Sequence, residues 1–116
     1  MFHGLKRLKN SARYSCQGLK VAFRKEASFR QEVWLGLFLI PLSFWLDVTQ
    51  IERILLVVGV LMIMLAELLN TAIEVLVDLI SPRYNELAAK AKDIASASVM
   101  VTMITAGYIW LEILWL

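Results

Sequence analysis

The apolar positions of this chain gather into three runs parted by short polar breaks: Val33–Leu46, Ile54–Ile80 and Ile94–Leu116. As helices these would measure about 21, 40 and 34 Å, against a hydrocarbon core of roughly 30 Å. The first run is short and carries Pro41, so either neighbours such as Phe29 and Val48 extend it or it sits in a locally thinned, protein-packed region. Ahead of the runs, Leu5, Leu8, Ala12, Cys16, Leu19 and Phe23 recur at helical spacing within about 80° of arc, flanked by Lys6, Lys9, Arg13, Lys20 and Arg24. This pattern predicts an amphipathic helix over about 5–25 lying on an anionic membrane surface, then membrane helices over about 30–48, 53–80 and 94–116. The expected fold is an all-α membrane protein in a single domain spanning residues 1–116.

Composition supports that solvent. At 59% hydrophobic residues and a mean hydropathy of +0.67, 116 residues cannot bury their apolar surface in a soluble core. No cleavable signal is expected, because eight Lys and Arg are spread over the first thirty residues and the first apolar run starts only at Val33. Cys16 is alone and can close no intramolecular disulfide, and the lone His3 is assigned no role. A net charge of +2 points to no nucleic-acid partner. The placement of the charges is more useful: eleven of the twelve Lys and Arg lie before the first run or between the second and third, and only Arg53 lies between the first and second. The N-terminus and the loop around residues 81–93 are therefore expected in the cytoplasm and the C-terminus outside. Trp45, Trp110 and Trp115 then share the outer interface and Trp34 the inner one.

Polar residues in the second run are confined to one stripe. Glu67, Asn70, Glu74 and Asp78, spaced i, i+3, i+7 and i+11, fall within about 80° of arc. Acids inside a membrane helix cost about 2.5–3.5 kcal/mol each on insertion scales and mark functional sites by default. With Ile54 at the outer boundary, roughly 30 Å of helix ends near Glu74, so Glu67 lies about 10 Å deeper and the stripe runs from cytoplasmic water into the membrane. No phosphate-binding glycine loop, Gly-rich fingerprint or Cys/His metal cluster occurs. Carboxylates near a membrane surface suit Mg²⁺, which takes one or two of them together with substrate phosphates. Glu26 and Glu74 are at compatible depth, Lys92 and Asp93 lie on the same side, and Glu67 is the candidate general base. A proton- or cation-conducting subunit is the rival reading of an acidic stripe, disfavoured because Ile54–Ala66 offers no polar group to complete a relay. In the third run Ala95, Ser98, Thr102 and Ala106 form a small-residue stripe suited to close helix packing.

The stretch Glu67-Leu-Leu-Asn70-Thr-Ala-Ile-Glu74-x-x-x-Asp78, followed by Ala91-Lys92-Asp93, resembles the prokaryotic integral-membrane diacylglycerol kinases. Tyr14-Ser15, Glu26-Ala27-x-Phe29-Arg30-Gln31-Glu32 and Trp45-Leu46-Asp47 extend the resemblance over nearly the whole chain. It implies a homotrimer with one surface helix and three membrane helices per subunit, active sites at subunit boundaries, and transfer of the ATP γ-phosphate to diacylglycerol, giving phosphatidic acid at the inner leaflet of a bacterial cytoplasmic membrane. By the same resemblance Glu67 is the base, supported by Asn70, and Glu26 and Glu74 hold Mg²⁺. Arg7, Tyr14, Tyr84, Asn85, Lys92 and Asp93 meet the nucleotide, while Ser15, Arg30, Gln31, Glu32, Trp45, Asp47, Ser96 and Trp110 face the lipid. Around Arg83-Tyr84-Asn85 the chain departs from relatives that carry an acid and a histidine near the adenine. Undecaprenol kinases share the core motif and are the alternative: Phe29-Arg30-Gln31-Glu32 and Trp45-Leu46-Asp47-Val48 favour diacylglycerol, whereas Asp78-Leu-Ile-Ser-Pro resembles the polyprenol branch a little more.

Overall fold

A computed structural model describes residues 2–116 as four helices: α1 (Phe2–Lys25), α2 (Ala27–Trp45), α3 (Gln50–Ile80) and α4 (Glu86–Leu114). No strand occurs among the described residues. α3 is the central element, packed on α4 along most of its length and on α2 over a shorter one, with α1 touching α2 and α3 only lightly. α3 and α4 are long and apolar enough to cross a membrane. α2 has 19 residues and spends its first two turns on Arg30, Gln31 and Glu32, which leaves it too polar to meet the same standard.

Local chemistry sets each boundary. Thr49 and Glu52 exchange side-chain bonds to each other's backbone N–H, a capping box that starts α3. Asn85 accepts from the N–H groups of Leu87 and Ala88 and starts α4, eight residues ahead of the apolar run beginning at Ile94. Arg53 donates to the carbonyls of Ser43 and Leu46, satisfying the end of α2 and tying the tight α2–α3 turn. α1 and α2 are parted by Glu26 alone, whose backbone is extended (φ −111°, ψ 115°). The chain bends there, because Phe23 and Trp34 meet edge to face at 6.5 Å, where a continuous helix would hold them about 16 Å apart. Arg30 reaches back across the bend to the carbonyls of Phe23 and Arg24 at 2.9 Å.

The α3–α4 seam depends on small residues. A Cβ on Gly59 would stand 3.4 Å from Ala106, so the two backbones approach closely there. Ala95, Val99 and Ala106 are buried, while the hydroxyls of Ser98 and Thr102 turn back onto the carbonyls of Ala95 and Val99. Trp110 donates its indole N–H to the Leu56 carbonyl at 3.2 Å, pinning the far end of the same seam.

Candidate active site

Three carboxylate-centred contacts gather around the half of α3 nearest the α1–α2 bend and the α3–α4 loop. The innermost pairs Glu67 of α3 with Glu32 of α2. Both are buried, at 6% and 8% exposure, and their carboxyl groups lie within hydrogen-bonding reach of each other. Antiparallel packing of α2 on α3 produces this register: one turn further along α2, Gly36 sits against Val60 and Met64.

The second contact is two turns nearer the loop. Glu74 stands beside Glu26, again within hydrogen-bonding reach, and Asn70 donates its amide to Glu74 at 3.5 Å. Glu26 occupies the N-cap position of α2 but makes no capping bond with its side chain, which leaves its carboxylate available to face Glu74. Two facing carboxylates are an oxygen donor set that suits a divalent cation completing its shell with water and phosphate oxygens. Among the described residues no three His, Cys, Asp or Glu side chains are arranged so as to hold a metal ion together, so protein donors alone would not saturate it. At the end of α3 nearest the α3–α4 loop, Lys92 pairs with Asp78 at 2.6 Å, beside a shallow cavity of about 210 Å³ that includes Arg83, Tyr84 and Asn85.

The structure thus brings together Glu26, Glu32, Glu67, Asn70 and Glu74, and sets Lys92 one turn beyond them against Asp78. It leaves others apart. Arg7 and Tyr14 are exposed on α1, and Tyr14 is covered on one face by the Arg13 guanidinium. Asp93, Ser96 and Tyr84 are exposed, and Asn85 uses its side-chain oxygen as the α4 cap. Trp45, Asp47 and Trp110 stand at the opposite end of the bundle, roughly 25 Å along α3 from Glu74 as measured at Leu56. Two buried polar residues, Ser43 and Thr71, lie outside the site residues expected from sequence: the Ser43 hydroxyl donates to the Ile40 carbonyl at 2.6 Å, whereas Thr71, 6% exposed and with its hydroxyl unpaired among the described residues, lines an apolar groove of about 810 Å³ between α1 and α3. For Thr71, its position next to Asn70 was the available signal.

The chain matches the model of the family described as prokaryotic diacylglycerol kinase over residues 13–114. It is 49% identical over 107 residues to the diacylglycerol kinase of Haemophilus influenzae, covering 92% of this chain and 91% of that one. The diacylglycerol kinase of Escherichia coli strain K12 is 43% identical over 112 residues (97% and 92% covered), and that of Pseudomonas aeruginosa 44% over 111 residues (96% and 90%). Together with two helices of membrane-crossing character, this makes the chain a membrane protein and a kinase. By family match and by full-length identity, it belongs to the prokaryotic diacylglycerol kinase family.

Proposed function

We propose that this protein transfers the γ-phosphoryl group of ATP to the primary hydroxyl of diacylglycerol, forming phosphatidic acid at the cytoplasmic face of a bacterial inner membrane. The observation that carries the reading is the meeting of Glu67, Asn70 and Glu74, on one face of a membrane-length helix, with Glu26 from the α1–α2 bend. Such a face provides a base at membrane depth and a cation site near the interface, on one rigid element. The diacylglycerol kinases to which the chain is similar supply the substrate.

In this reading α1 lies on the membrane surface, α2 crosses together with α3 and α4, and the N-terminus faces the cytoplasm. Glu67 accepts the hydroxyl proton as the lipid oxygen attacks the γ-phosphorus and the bond to the ADP oxygen breaks. Glu26 and Glu74 would hold Mg²⁺, and Asn70 steadies Glu74 through its amide. When bound, that ion supplies positive charge against the phosphate oxygens. Lys92, once released from Asp78, offers a point charge to the same phosphates, with Arg7, Tyr14, Tyr84 and Asp93 as further nucleotide contacts. Asn85 would contribute less, since its carbonyl oxygen already caps α4. Ser15, Arg30, Gln31 and Ser96 lie on the lipid side, whereas Trp45, Asp47 and Trp110 suit the outer interface.

The homotrimer belongs to the same proposal and has support in α3. Ile51, Leu55, Val58, Met62, Leu65 and Leu69 follow a 4-3-4-3-4 spacing and are all exposed in the single chain. That is a heptad seam, the pattern by which parallel copies of a helix interlock.

Purified protein given labelled ATP with diacylglycerol or undecaprenol separately tests the reading. Label should enter phosphatidic acid. Label in undecaprenyl phosphate alone, or in neither lipid, would overturn it. Glu26→Gln and Glu74→Gln should each raise the Mg²⁺ concentration for half-maximal rate roughly 10–100-fold at saturating ATP. An unchanged Mg²⁺ requirement in both variants would move the metal site elsewhere.

A further inference from the structure

Glu32 raises a question that phosphoryl transfer from Glu26, Glu67 and Glu74 leaves unanswered. It is a carboxyl group 92% removed from solvent, and no N–H or O–H among the described residues donates to either of its oxygens. The group alongside it is another buried carboxyl, Glu67. No cation among the described residues compensates the pair. Arg30, two residues earlier on α2, is turned away onto the carbonyls of Phe23 and Arg24. Lys92 is engaged with Asp78, and Arg53 with the end of α2. The elements packed on α2 are α1 and α3, and Glu67 is the one charged group on them that acts on Glu32. Two carboxyl groups in contact in a desolvated space cannot both stay charged, so such a pair retains one proton between them.

We propose that Glu32 is a positioning residue for Glu67: it carries the shared proton and donates it as a hydrogen bond that fixes the Glu67 carboxylate in the direction of the lipid hydroxyl. The proposal rests on the reading of Glu67 as the base. Before transfer the pair holds one proton. When the lipid O–H bond breaks, its proton joins Glu67 and the freed oxygen takes the phosphoryl group. The pair then holds two protons, and one leaves to water before the next turnover. A hydrogen-bonded base pays less orientational entropy at each turnover than one free to rotate. The pair titrates as a unit, so its protons belong to both residues rather than to one.

Infrared spectroscopy in an ester-free detergent reads the proton directly. Wild-type protein near neutral pH should show the C=O stretch of a buried protonated carboxyl, which Glu32→Gln abolishes and Glu67→Gln shifts. Absence of that band from the wild type, or its survival unchanged in Glu32→Gln, would overturn the proposal. Kinetics supply the second reading. Glu32→Leu removes the donor and should lower kcat roughly 10–100-fold with KM for MgATP unchanged, as loss of an orienting partner does. Glu32→Gln keeps a donor and should recover most of that loss. In a Glu67→Gln background Glu32→Leu should cost nothing further, because its effect passes through Glu67. If Glu32→Leu instead raised KM for lipid and spared kcat, Glu32 would be a lipid contact and the positioning role would fall. Wild-type turnover in Glu67→Gln is a separate failure: it would sink the base assignment while leaving the infrared result standing.

Discussion

Glu67→Gln should lower kcat by roughly 10²–10⁴, the range over which a positioned general base contributes. The substitution preserves shape and removes only the ability to take a proton. Glu67 is 6% exposed on a helix whose neighbours are set by packing, so the amide should fit where the carboxyl sits. It also ends the juxtaposition of two acids at the α2–α3 contact, so the folded protein should lose no stability and could gain some. Unchanged thermal midpoint and oligomer size, with KM for MgATP within a few-fold of wild type, would separate chemistry from folding. The loss should persist at saturating lipid and saturating Mg²⁺. A well-folded variant turning over at more than about a tenth of the wild-type rate would exclude Glu67 as the base.

The helical plan was open to the sequence because periodicity and charge both bear on it. Capping chemistry places the ends of α3 and α4, and Thr49, Glu52 and Asn85 are residue types with a known preference for those positions. The bend at Glu26 was harder to see. Neither Pro nor Gly marks it, and the residues that hold it, Arg30 and the Phe23–Trp34 pair, act across six to eleven positions. The family and the kinase activity were legible in the Glu67–Asp78 motif, and the family match bears them out. Spacing could place Glu67, Asn70 and Glu74 on one face. It could not show that Glu32 comes from another helix to meet Glu67, because the partners are 35 positions apart. Trp110 shows the same limit: as a sequence feature it is an interfacial aromatic, while in three dimensions its indole N–H reaches the carbonyl of a residue 54 positions away.

Deleting residues 1–20 should reduce kinase activity to background while leaving membrane insertion and oligomer size as they are. α3 and α4 hold the chain in the bilayer without help from α1, so an anchoring role alone would make α1 dispensable. What the deletion removes is a wall. Ser15, Gly18 and Leu19 line one side of the groove of about 810 Å³ whose other side includes Leu68, Thr71 and Ala72 of α3. It also removes Arg7 and Tyr14 but spares Phe23 and Arg24, whose carbonyls anchor Arg30 beside the bend. Glu26 therefore keeps its place, and loss of activity would report on the groove and the proposed nucleotide contacts rather than on collapse of the proposed metal site. The point substitution Leu19→Glu separates those two. It sets a charge on the apolar face of α1 inside the groove while leaving Arg7 and Tyr14 intact, so KM for lipid should rise more than KM for ATP. Full activity in the deletion variant would reduce α1 to an anchor, and equal rises in both KM values for Leu19→Glu would place the groove outside the path of the lipid.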